Sequence, residues 1–195
     1  MRNRILAAYP DSTFGATDSP TIYVADFSKR TNKARGVEIH NVHPKDPNDN
    51  NIDMDCCIVI NGTLLSIDYN VFKDNQFKNE EDEDMKHGEC CLFPSINSDK
   101  TWILFIEIKD CKGSRISRYK QDVKDKIILN VSEFRKHGII TSNNVYGVVA
   151  FPRKKTLHNQ ALFDDYVDKK KYKKAFLVVT NSATIIDTHD IKFDI

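Results

Sequence analysis

The chain has 195 residues, of which 40% are hydrophobic and 29% charged, with a formal net charge of +1. That length builds one domain with a sizeable core, and that composition belongs to a soluble globular protein rather than a fibrous or disordered one. No apolar run approaches the ~18 residues of a membrane span, and the stretch from Met1 to Pro10 is too short in apolar residues for a secretory signal, so a cytoplasmic location is expected.

The small net charge hides a division along the chain. Residues 1–108 carry 11 basic and 18 acidic side chains, residues 109–174 carry 17 and 7, and the remainder 1 and 3, giving −7, +10 and −2. Such segregation points to a polyanionic partner for the basic segment, although a solvated helical face gives the same pattern. The cysteines fall at Cys56-Cys57, Cys90-Cys91 and Cys111, without a CxxC spacing for zinc and in an odd number for a secreted disulfide framework. They are expected to be reduced and buried.

In chain order, Thr21–Ala25 and Gly36–His40 read as a β-hairpin around the basic turn Ser28–Lys33. His40 and His43 lead into His43–Asn51, a Pro/Asn/Asp-rich stretch with the marks of an exposed loop, where the histidines read as surface residues. Cys56–Ile60 and Thr63–Asp68 flank Asn61-Gly62, the strongest short-range hairpin signal, and are expected as two paired antiparallel strands. Asn79–Asp84 is a dense acidic run, read as a solvated loop or helix start. Glu89–Pro94 and Trp102–Lys109 follow as two strands joined by a short turn and paired antiparallel.

Alternation in the second of these places Glu107 and Lys109 side by side, with Ile106 and Ile108 on the other face. A carboxylate beside an ammonium at the end of an apolar strand is costly unless paired or solvated; the strand either holds a site there or simply emerges into water. Antiparallel pairing brings Glu89 toward both residues. Beyond Ser114, a reasonable N-cap, apolar residues at Ile116, Tyr119, Val123, Ile127, Val131 and Phe134 trace one helical face up to a stop at His137-Gly138. The exposed side of that helix carries Arg115, Arg118, Lys120, Gln121 and Lys124. Asn144–Phe151 reads as a buried strand, Gln160–Tyr172 as a helix, and Phe176–Thr180 and Thr184–Asp187 as closing strands.

An acidic residue, a gap of 18 positions, then Glu107-Ile108-Lys109 closing an apolar strand, followed by a helix with basic and Gln residues, resembles the PD-(D/E)XK nuclease superfamily over residues 56–151. The resemblance implies an α/β fold, a restriction-endonuclease-like mixed β-sheet core flanked by helices over 55–195, with an N-terminal β-rich arm over 1–54. It further implies a Mg²⁺- or Mn²⁺-dependent endonuclease of restriction or phage-defence type, acting on DNA in preference to RNA, as a homodimer or in a larger defence complex. Glu89 and Glu107, with the main-chain carbonyl of Ile108, would hold the metal, and Lys109 would position the attacking water. Arg115, Arg118, Lys120 and Gln121 would meet nucleic acid. Where the family usually has Asp, this chain has Glu89, so Asp68 or Asp55 stand as alternatives, and Glu80, Glu81 and Glu83 as candidates for a further acidic ligand. The competing reading is a catalytically inactive module of the same fold that binds nucleic acid or a partner protein.

Overall fold

Strand-forming sequence dominates the chain. The computed structural model describes residues 1–31, 36–96, 98, 100–109, 111, 116–141, 144–153 and 175–193. Within them the order is α1 (Arg2–Ala8), β1 (Phe14–Thr17), β2 (Thr21–Asp26), α2 (Ser28–Thr31), β3 (Val37–His40), β4 (Lys45–Asp46), β5 (Asp49–Asp53), β6 (Cys56–Ile60), β7 (Ile67–Val71), β8 (Cys90–Pro94), β9 (Ile103–Ile108), α3 (Ile116–Lys136), β10 (Val145–Ala150), β11 (Ala175–Val179), β12 (Ser182–Ile185) and β13 (Ile191–Lys192). The protein is thus a mixed α/β structure. None of the described helices is long and apolar enough to cross a membrane.

Two mixed sheets carry the fold. The larger runs β1-β7-β8-β9-β10-β11, antiparallel from β1 to β9 and parallel from β9 to β11. The smaller runs β13-β12-β6-β2-β3. One face of the larger sheet packs against the helices through Ile5, Val123, Ile127, Val131 and Phe134, and the other against the smaller sheet through Ile22, Val24, Val59 and Ala183. The larger sheet is therefore the middle layer, and β9, central in it, is buried on both faces.

The helical face read from the spacing of apolar residues is the one buried: Val123, Ile127, Val131 and Phe134 are at most 2% exposed. Each contributes roughly 1.5–3 kcal/mol by leaving water. The helix stops at Gly138, whose φ of +65° suits the left-handed residue that follows a helix end. It lies close over the sheet at Gly147, where an added Cβ would sit 2.9 Å from Ile127 Cγ2 of the helix and would also meet Leu177 of β11.

The expected β2–β3 hairpin forms, with Val24 opposite Ile39 and α2 in its connection. Residues 1–54 are not set apart as an arm, however. They place β1 in the larger sheet and β2 and β3 in the smaller, so both sheets span the boundary expected at 54/55. The stretch expected as a loop at His43–Asn51 forms part of a small, largely exposed β4–β5 ribbon. His43 stacks on Tyr23, and its Nε2 lies 2.9 Å from the Met54 carbonyl.

The hairpin expected at Asn61-Gly62 does not form. β6 belongs to the smaller sheet and β7 to the larger, so the chain turns a corner between layers. A two-residue type I′ hairpin needs positive φ at both central residues, and neither Asn61 nor Gly62 has it; Leu64 does, at 52°. The buried Asn61 amide donates to the carbonyls of Ser19 and Leu65, while its Oδ1 accepts the Leu65 N–H, tying the corner. The closing strands repeat the arrangement. β11 lies in the larger sheet and β12 in the smaller, and Asn181 at the crossing brackets Phe151 by accepting its N–H and donating to its carbonyl. The helix expected over Gln160–Tyr172 lies outside the described residues.

Candidate active site

Alternation along β9 decides where its charges go. Ile103 and Phe105 point to the helical layer, whereas Trp102, Leu104, Ile106 and Ile108 point to the smaller sheet. Glu107 continues the first series, so it lies under α3 rather than emerging into water. Its side chain is 0% exposed. Lys109, next on the same face, sets its Nζ 2.8 Å from Glu107 Oε1.

The β8–β9 pairing supplies the second carboxylate. Cys90 lies opposite Ile106, and the Glu89 N–H donates to the Ile106 carbonyl at 3.3 Å. Glu89 therefore starts its strand where β9 ends, with Oε1 3.9 Å from Lys109 Nζ. One ammonium is thus shared by two carboxylates. The network is closed at Glu107 and reaches solvent at its other members, whose side chains are 12% (Glu89), 23% (Lys109) and 14% (Lys126) exposed.

Helix α3 contributes two residues that the sequence reading did not single out. Lys126 Nζ lies 2.9 Å from Glu107 Oε1, the oxygen that Lys109 also holds. One turn on, Asn130 is fully buried and its Oδ1 accepts the Gly88 N–H at 2.6 Å. An added Cβ at Gly88 would lie 3.2 Å from Asn130 Oδ1 and 3.7 Å from Glu107 Oε2, so that backbone runs close beside both side chains. Glu107 Oε2 and Asn130 Nδ2 are both buried and have no hydrogen-bond partner among the described residues. A signal for these residues existed: Asp122, Lys126 and Asn130 recur every fourth position, each directly before the apolar residues Val123, Ile127 and Val131.

The ionisation of Lys109 follows from its neighbours. Burial alone would draw its pKa down, but the charge of Glu107 and the hydrogen bond to it, with Glu89 adding to them, hold the ammonium above the ordinary lysine range. Lys109 is therefore a cation at neutral pH. Next to the network, His87 is fully buried with Nδ1 2.7 Å from the Gly88 carbonyl, an arrangement in which that nitrogen donates.

The remaining sequence candidates are placed elsewhere or lie outside the described residues. Arg115 is outside them, and Arg118 and Lys120 lie on the first turns of α3 with side chains that are also outside them. Gln121 is exposed and donates to Asp125 at 2.7 Å along the helix, not into the network. The Ile108 side chain packs between the sheets. Asp68 sits opposite Phe93, four positions along β8 from Glu89, and pairs with Arg2 at 3.5 Å. Asp55 is exposed beside the other sheet. Glu80, Glu81 and Glu83 are exposed in a turn organised by Asn79, which accepts the N–H groups of Glu81 and Glu83 and donates to the Glu83 carboxylate.

Among the described residues no group of three or more His, Cys, Asp or Glu side chains gathers as metal ligands. Mg²⁺ is commonly held by one or two carboxylates and keeps several waters. Two carboxylates sharing one ammonium, with an unpartnered oxygen on one of them, fit that requirement. The five cysteines are all buried thiols with no disulfide between them, remote in kind from a metal centre of this type. Comparison with family models, with curated proteins and with solved structures returns no match for this chain.

Proposed function

We propose that the chain is a Mg²⁺- or Mn²⁺-dependent phosphodiesterase that cuts DNA, with Glu89 and Glu107 holding the cation and Lys109 acting beside it. The observation that carries this reading is the meeting of Glu89, Glu107 and Lys109 at one end of the β8–β9 hairpin, under a helix that leads to a parallel neighbouring strand. The succession of β7, β8, β9, α3 and β10 supports the resemblance to the PD-(D/E)XK nucleases noted from sequence. The excess of basic residues that begins at Lys109 supports a polyanionic substrate.

Each residue has a physical task. The bound cation supplies a Lewis acid and a more acidic water for attack on phosphorus. Glu89 and Glu107, approached from two strands of one rigid hairpin, fix where the cation sits. Lys109 is protonated, so it acts as a donor: it orients the attacking water through its oxygen and offsets negative charge gathering on the phosphate. Lys126 and Asn130 hold the surroundings of Glu107. A role in restriction or phage defence, with a second copy supplying the cut on the opposite strand, extends this reading by analogy.

One observation favours a second reading. Glu107 Oε1 is already neutralised by two ammonium groups, which is how a purely structural ion network in a catalytically inactive nucleic-acid-binding module would look. Incubating linear, circular and single-stranded DNA with the protein and Mg²⁺ or Mn²⁺ separates the two. The proposal expects cutting that is abolished by EDTA, by Glu107→Ala and by Lys109→Ala. DNA retained equally by all three proteins, with no cutting, would establish the binding module instead.

A further inference from the structure

Lys126 is the one charge of the network that comes from a helix; the others lie in or directly beside β8 and β9. Two ammonium groups sit on a single carboxylate oxygen, at 2.8 Å for Lys109 and 2.9 Å for Lys126, and repel each other there. Their attachments differ. Lys109 directly follows β9, has its backbone N–H bonded to the Ala150 carbonyl, and is within 3.9 Å of a second carboxylate, Glu89. Lys126 comes from the helix on a long side chain, and among the described residues Glu107 is its only carboxylate.

The formal charges of the cluster also bear on Lys126. Glu89 and Glu107 against Lys109 and Lys126 sum to zero. A divalent cation held by the two carboxylates would bring the cluster to two positive charges. A phosphodiester under attack by hydroxide carries two negative charges, so balance is reached with both lysines present. A cation that takes Glu107 by its other oxygen, Oε2, would set two further positive charges beside the two ammonium groups on Oε1, and Lys126 is the group with the weaker hold.

We propose that Lys126 shares Glu107 with the divalent cation: it neutralises the carboxylate when the cation is away, gives it up when the cation binds, and then turns its ammonium to the scissile phosphate. This rests on the reading of the site as a metal-dependent phosphodiesterase. It makes Lys126 a competitor of the metal and a contributor to the reaction at once, and those two roles move different observables in opposite directions.

The test is Mn²⁺ binding by the full chain, followed through the free-ion signal in electron paramagnetic resonance and paired with DNA cleavage rates. Wild type, Lys126→Met, Lys126→Gln, Lys126→Arg and Glu107→Gln are compared. Lys126→Met and Lys126→Gln are expected to bind Mn²⁺ about tenfold more tightly, because a competing charge is gone, and to cut about a hundredfold more slowly. Lys126→Arg keeps the charge and is expected to return Mn²⁺ affinity to the wild-type value. The Gln variant keeps a hydrogen-bond donor for Glu107, so the comparison survives if the Met variant does not fold. Unchanged or weaker Mn²⁺ binding in the folded neutral variants would overturn this proposal alone. Wild type binding no more Mn²⁺ than Glu107→Gln would overturn it together with the metal-dependent reading beneath it.

Discussion

The two faces of β9 are built from alternate residues of one short strand, yet they solve different problems. Toward the smaller sheet, Leu104, Ile106 and Ile108 fill space among Ile22, Val24 and Val59, and only shape and apolarity matter. Toward α3 the same strand begins in the same way, with Ile103 and Phe105, and then buries a carboxylate completely. Desolvating a charge costs several kcal/mol unless partners are brought to it, so the helical face is committed to Lys109 and Lys126. Burial alone therefore does not mark a core position. What distinguishes Glu107 is that a strand and a helix both deliver cations to the same oxygen.

The largest effect expected from breaking this contrast comes from Glu107→Gln, which keeps the shape and removes the charge. Two ammonium groups are then left crowded around a neutral amide, and denaturant unfolding should show a loss of about 3–5 kcal/mol. Ile106→Val on the opposite face, one methylene smaller, should cost only about 0.5–1.5 kcal/mol. Equal losses for the two would show that the charges of the network do not interact as the distances indicate.

Asn130→Ala sharpens the comparison by touching the network's support rather than its charges. It removes the side-chain acceptor of the buried Gly88 N–H, which should cost about 1–3 kcal/mol. Asn130→Asp, which keeps the acceptor but adds a negative charge near Glu107, should fare no better. Tolerance of Asn130→Ala in thermal unfolding would mean that Gly88 finds another acceptor.

The smallest effects at neutral pH become visible in alkali. Burial, with Asp55 and Asp53 adding to it, pushes the Cys56 thiol from 9.0 to about 12, and burial with Cys56 does the same to Cys57. Burial and the hydrogen bond to Asp190 push Tyr146 from 10.0 to about 12. In each case the folded state keeps a proton that the unfolded state loses, so stability is complete below the lower value and falls as pH rises through the interval. Lys109 has the same sign, its ion pairs fading above the ordinary lysine range. The melting temperature should therefore hold level up to about pH 9 and decline from there to pH 12. A flat profile to pH 11 would contradict the burial of these groups.

Much of the site was legible because period-two alternation assigns faces. It placed Glu107 beside Lys109, and the short turn after Pro94 brought Glu89 to them. Alternation does not say which layer a face meets, so the depth of Glu107 under α3 was not legible. Asn61-Gly62 misled for a related reason: the dipeptide marks a change of chain direction, and whether the next strand pairs or crosses to another sheet depends on who takes up the Asn61 side chain. Lys126 was hidden because a lysine flanking an apolar stripe reads as solvated until a buried carboxylate is known to lie beneath it. The spacing of Val123, Ile127, Val131 and Phe134, by contrast, carried over directly, since a helix has only one way to bury such a stripe.

The central claim is that Glu89 and Glu107 form a divalent-cation site. Anomalous scattering from crystals grown with Mn²⁺ tests it most directly. A peak is expected about 2.1 Å from oxygens of both carboxylates, with Lys109 still adjacent. Crystals in which no peak appears there, and in which Lys109 and Lys126 both remain on Glu107 Oε1 at saturating Mn²⁺, would contradict it.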